Sequence, residues 1–243
     1  MLTSLFIFIF GLIAGSFLNS VIYRLEQGQS FIKGRSFCPH CKHQLAWQDL
    51  IPLFSFLILK GKCRYCRQKI SWQYPLVELT AGLLFVLIFF VQGWPSLGWN
   101  LIIACFFIII FVYDLKHYII PDRVIYPAII MAWIFNFSLV PILSALGAAF
   151  FFFLIVLASK GKGMGIGDIK LAFLMGLFLG WPNIAVALFS AVFLGAIIGI
   201  GLIISAKKTL KSEVPFGPFL AVGTFLALFW GEKIINFYLN LFI

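Results

Sequence analysis

Long apolar runs broken by short polar stretches make up most of the chain. Eight can be marked off: Leu5 to Tyr23, Leu76 to Val91, Leu97 to Val112, Val124 to Phe137, Ile142 to Ala158, Ile169 to Trp181, Ile184 to Ser205 and Phe219 to Leu239. A hydrocarbon core of about 30 Å takes about 20 residues of helix, so these runs predict an all-α polytopic membrane protein of about eight transmembrane helices. The sixth run is short for a span and is expected to start inside the glycine-rich stretch before it. No basic stretch precedes the first run, and no small-residue cleavage site follows Gly15-Ser16-Phe17-Leu18-Asn19, so the run reads as a retained helix rather than a signal peptide. Gly11, Gly15, Gly195, Gly199 and Gly201 fall inside spans, where small residues let helices pack closely. No internal repeat or low-complexity segment stands out.

Composition agrees with the pattern. Of 243 residues, 63% are hydrophobic and 11% charged, against roughly 25% charged in a soluble domain. The Lys and Arg residues fall in alternate connections: nine between Arg24 and Lys69, then Lys116 and Arg123, then Lys160, Lys162 and Lys170, then Lys207, Lys208 and Lys211. The connections Gln92 to Asn100, Ser138 to Pro141 and Gly180 to Asn183 have none, and only Lys233 breaks the alternation. Basic residues accumulate on the cytoplasmic side, which predicts both termini outside. The net charge of +10 then reads as a topology signal in contact with anionic lipid. It makes no case for nucleic-acid binding.

The one sizeable polar segment, Arg24 to Tyr74, carries Cys38-Pro39-His40-Cys41 and Cys63-Arg64-Tyr65-Cys66. Two C-x-x-C turns at this spacing can aim Cys38, Cys41, Cys63 and Cys66 at one tetrahedral zinc ion. A basic, cytoplasmic loop keeps its thiols reduced, which argues against disulfides; a thiol redox pair is the rival reading. His40 and His43 are read as polar loop residues, and Cys105 as a small core residue. Between the turns, Leu50 to Leu59 is too short to span and too apolar for water, so it is expected in the membrane interface or docked on the bundle. The resulting division is residues 1–92, with the first helix, a cytoplasmic zinc module of about residues 35–72 and the second helix, and residues 93–243 with six helices.

Ionisable groups at a membrane boundary are candidates for function. Asp168, in Gly165-Ile166-Gly167-Asp168-Ile169-Lys170, opens the sixth run, and Asp114 closes the third. The charge pattern puts both on the same face. Two carboxylates brought together can share one proton and activate a water toward an amide. The alternative is that each merely flanks a helix, in a non-enzymatic zinc-stapled scaffold or transporter subunit. Asp122, after Pro121, is read as a structural helix N-cap. Gly165 and Gly167 allow backbone to approach backbone or substrate. Lys170 marks the boundary and biases the charge near Asp168. Pro215-Phe216-Gly217-Pro218 forms a rigid re-entry that can wall the site.

Taken together, several stretches resemble the type IV prepilin peptidase family, the leader peptidase/N-methyltransferases of pilus, type II secretion and competence systems. They are Gly15 to Asn19 with Tyr23-Arg24, the two C-x-x-C pairs, Ile51-Pro52, Gly61 to Arg64, Tyr74 to Glu78, Asp114 to Asp122, Gly165-x-Gly167-Asp168-x-Lys170 and Pro215 to Pro218. The resemblance implies eight membrane helices, an aspartyl intramembrane peptidase acting through Asp114 and Asp168, and zinc on the four cysteines. It also implies a prepilin or pseudopilin substrate, cut after a glycine at the cytoplasmic face of the bacterial inner membrane. Many members methylate the new N-terminus with S-adenosylmethionine. Nothing in the sequence marks a pocket for that cofactor, though Asn19, Arg24 and Glu78 are polar groups close to the membrane.

Overall fold

The computed structural model describes residues 2–31, 34–161, 164–205 and 214–241. Lys33, Lys162, Gly163, Lys207, Lys208, Lys211 and Glu213 lie outside them. Eight α-helices are present among the described residues: α1 (Leu2–Glu26), α2 (Phe54–Ile58), α3 (Gln73–His117), α4 (Asp122–Phe135), α5 (Leu139–Ala158), α6 (Ile166–Leu179), α7 (Asn183–Ile204) and α8 (Gly217–Asn240). Of these, α1, α3, α5, α7 and α8 are long and apolar enough to cross a membrane. The chain forms two compact units, Met1–Ile109 and Ile110–Ile243.

The second and third apolar runs, expected as separate helices, follow one another in α3 with a break between them. The join is not regular. Gly93 has φ 66° and ψ −170°, and Pro95 follows, so the helical hydrogen bonding is interrupted where a connection was expected. In the first unit, α1 and α3 meet through glycine. A Cβ on Gly11 would stand 2.7 Å from Gly82 Cα, and one on Gly15 would stand 2.6 Å from Glu78 Cα. Only residues without side chains, one helical turn apart, permit that approach.

In the second unit, α6 packs against α4, α5, α7 and α8. Its apolar residues run all the way round rather than along a stripe. Leu171, Ala172, Leu174, Met175, Gly176, Leu177 and Phe178 are all buried, as expected of a helix with neighbours on every side. Gly176 lies against the backbone of Ala145 in α5, and Gly223 of α8 lies against Ala187 of α7. The far end of α6 is closed by Asn136, whose side-chain amide donates to the Leu177 and Phe178 carbonyls at 2.9 and 3.2 Å.

Candidate functional site

Asp114 sits in the last turn of α3 and is 4% exposed. Its Oδ2 accepts the Gly217 N–H at 2.9 Å. Gly217 is the first residue of α8, so the carboxylate faces the positive end of that helix. The fit is close: a Cβ on Gly217 would be 2.6 Å from Asp114 Oδ2. Asp168 lies in the first turn of α6 and is 8% exposed. Its Oδ2 accepts the Gly165 N–H at 3.1 Å, so it too sits at the positive end of a helix.

The chain between Asp114 and α4 passes close to α6. Tyr118 N–H closes on the Asp114 carbonyl at 2.9 Å, Tyr118 takes φ 58°, and the chain turns back past α6. There Ile120 Cβ lies 3.1 Å from where a Cβ of Gly167 would be. Gly167 therefore makes room for the segment that follows Asp114. Asp122 is the first residue of α4, with Pro121 in the cap position expected of Asp122. Its Oδ1 instead accepts from Lys170 Nζ at 2.6 Å, and that ammonium also stands 4.9 Å from the Tyr126 ring. Lys170 thus ties α6 to α4.

In the first unit, the Sγ atoms of Cys38, Cys41, Cys63 and Cys66 all lie within 4.8 Å of one another, and Cys38 and Cys66 are 3.9 Å apart. A tetrahedron with metal–sulfur bonds of about 2.3 Å has edges of about 3.8 Å, so the four sulfurs can hold a metal ion. Burial pushes the Cys38 thiol up, but the Cys41 and His40 N–H groups and the Cys63 and Cys41 thiols outweigh it and bring it to about 7. Cys66 accepts from the Gln68 backbone, which lowers its pKa. Burial and the three neighbouring thiols more than offset this and raise it to about 11.

The two cysteine turns are structural copies, so an internal repeat is present that the sequence reading missed. Residues 36–45 recur as 61–70. Cys38 N–H donates to His43 O at 2.9 Å as Cys63 does to Gln68 O at 2.8 Å. Lys42 N–H returns to Cys38 O at 2.9 Å as Arg67 does to Cys63 O at 3.0 Å. Lys42 and Arg67 take φ 59° and 62°. The visible signal was the basic residue after each pair and the aliphatic Leu45 or Ile70 four positions beyond the second cysteine.

The His43 ring lies against Tyr65, tilted by 34° with centroids 3.7 Å apart. Asp49 joins the inter-turn segment to the second turn, accepting from Arg64 Nε at 2.7 Å and Tyr65 Oη at 3.1 Å. Burial opposes its charge, and Arg64, the Ala46 N–H and Tyr65 offset that to hold its carboxyl below the usual range.

The polar groups nearest the membrane in this unit are engaged. Asn19 Nδ2 donates to Tyr74 O at 3.0 Å. Arg24 donates to Phe31 O and Gly34 O at 2.9 and 2.7 Å. Glu78 Oε2 accepts the Leu53 N–H at 2.9 Å. These partners tie helices to loops.

Two family models match the chain: the bacterial peptidase A24 N-terminal domain over residues 9–92 and the type IV leader peptidase family over residues 101–200. Three similar proteins are each named prepilin leader peptidase/N-methyltransferase. One from Bacillus subtilis is 35% identical, covering 97% of both chains. One from Aeromonas salmonicida is 33% identical, covering 96% of this chain and 93% of the relative. One from Pseudomonas aeruginosa is 31% identical over 95% and 91%. No solved structure matches significantly. With likeness of this kind running almost end to end, the chain belongs to the type IV leader peptidase family and is an enzyme of it.

Proposed function

We propose that this protein is a prepilin or pseudopilin leader peptidase of the bacterial inner membrane, in which Asp114 and Asp168 together activate one water. The observation that carries this is that Asp114 and Asp168 are both buried, each accepting a backbone N–H at a helix N-terminus. Two such groups in a poorly solvated site cannot both ionise cheaply, so one proton is shared. The ionised carboxylate takes a proton from water as its oxygen attacks the scissile carbonyl carbon. The protonated partner donates to the carbonyl oxygen, and a proton then passes to the departing amine as the C–N bond breaks.

The substrate side of the proposal is a precursor whose apolar segment lies in the bilayer and whose short basic leader stays in the cytoplasm, with cleavage after a glycine. For the protein itself it entails eight spans, with α3 contributing two about Gly93 and α4 and α6 one each, both termini outside and the cysteine module on the cytoplasmic face. Zinc on the four cysteines is structural and folds a module with little apolar core. N-methylation of the new N-terminus is proposed on the relatives' shared name, and no residue is assigned to it.

The test is cleavage of a prepilin-type substrate in membranes carrying wild type, Asp114→Asn, Asp168→Asn or Asp122→Asn at matched expression. Loss with the first two and retention with the third is the expected result. Cleavage by both Asp114→Asn and Asp168→Asn would make these aspartates structural and put the catalytic groups elsewhere in the chain.

A further inference from the structure

The apolar stretch between the cysteine turns has one side accounted for and one side bare. On one side, the Phe56 ring packs on Trp72 with centroids 5.1 Å apart, and Gly61 leaves room for it. Just before α2, Phe54 N–H closes on Pro52 O around Leu53, which has φ 60° and ψ −48°. This is the strained hand of a γ-turn. The turn directs the Leu53 N–H at Glu78.

Those contacts set a depth. Glu78 lies about 7.5 Å into α3 from Gln73 at 1.5 Å per residue. It shares a turn with Leu76 and Leu79, which stand exposed on a helix apolar enough to cross a membrane. Further along, Leu83, Leu87 and Phe90 continue the exposed apolar side. The bond to Leu53 therefore holds α2 level with the first lipid-facing turns of α3.

At that level Phe54, Leu57 and Ile58 are 63%, 70% and 74% exposed. An apolar patch of this kind needs an occupant. Lys60 and Lys62 follow at once and are exposed, the arrangement that suits a leaflet with anionic headgroups.

We propose that α2 is an interfacial anchor, with Phe54, Leu57 and Ile58 sunk among the acyl chains of the leaflet on the cysteine-module side and lipid as the occupant. The anchor gives the metal module a fixed depth. Its sequence logic is the pairing of a short apolar turn with a buried acid on the neighbouring span. The proposal does not depend on the identity of the catalytic residues.

The experiment places benzoylphenylalanine at Leu57 or Ile58 in the full chain. The metal-loaded protein is reconstituted into vesicles of phosphatidylethanolamine and phosphatidylglycerol. After irradiation, phospholipid adducts are measured by mass at each site. Leu83, on the exposed side of α3, serves as the lipid-facing standard, and Arg67, exposed in the second cysteine turn, as the aqueous one. Adducts at 57 and 58 comparable to Leu83 and several times those at Arg67 are expected. Labelling at 57 and 58 no greater than at Arg67, or adducts to protein in place of lipid, would overturn the anchor.

Discussion

Replacing Gly217 with alanine sets two physical effects against each other. By helix propensity, alanine at the first residue of α8 is favoured by up to about 1 kcal/mol. By geometry, its Cβ would stand 2.6 Å from Asp114 Oδ2 and 3.2 Å from Cγ. A carbon–oxygen contact relaxes at about 3.3 Å, so the carboxylate must retreat by about 0.7 Å and its bond from the Gly217 N–H is lost or bent. A hydrogen bond to a charged group contributes roughly 1.5–3 kcal/mol, and misplacing a reacting group by about 1 Å can cost about 100-fold in rate. Cleavage of a prepilin-type substrate should therefore fall roughly 10- to 100-fold in Gly217→Ala while the protein still accumulates. Gly201→Ala, in a helix where a Cβ meets nothing within 4 Å, should cleave as wild type. Cleavage by Gly217→Ala within about twofold of wild type would refute the argument that this backbone group positions Asp114.

Two other predictions concern the metal module and the ion pair. Purified protein should carry one zinc per chain, Cys63→Ser should reduce that, and affinity should weaken as pH falls through the neutral range, because protons compete at Cys66 from about 11 downward and at Cys38 from about 7; titration with a zinc indicator across pH reads this out, and pH-independent binding would contradict it. The Asp122–Lys170 pair is partly exposed, at 60% and 24% for the two side chains, so Lys170→Met should shift stability by no more than about 1 kcal/mol. Thermal unfolding in detergent measures that shift, and the variant should retain cleavage.

What the sequence made legible depended on whether the signal was local. The cysteine spacing is local, and the four sulfurs converge within 4.8 Å. The apolar runs are local too, and each falls in a helix. The break read between the second and third, from Gln92 to Asn100, falls at Gly93, though the chain resumes helix directly on either side of it. Asp122 was placed one position out because Pro121, which has no N–H to lose, occupies the cap. Gly217 was seen only as part of a stiff re-entry, since its partner lies 103 positions away. The repeat of the cysteine turns was hidden because a backbone pattern is shared by unlike side chains, Pro39-His40 against Arg64-Tyr65.

The brevity of α6 bears on the bilayer itself. Fourteen residues rise about 21 Å, some 9 Å less than the hydrocarbon thickness of about 30 Å. Peptide carbonyls cannot end bare in oil, and Asn136 seals the Leu177 and Phe178 end with protein rather than solvent. On the proposed eight-span reading, α4, α5, α7 and α8 enclose α6, so the shortfall falls inside the bundle, and it is the longer helices around α6 that meet the acyl chains.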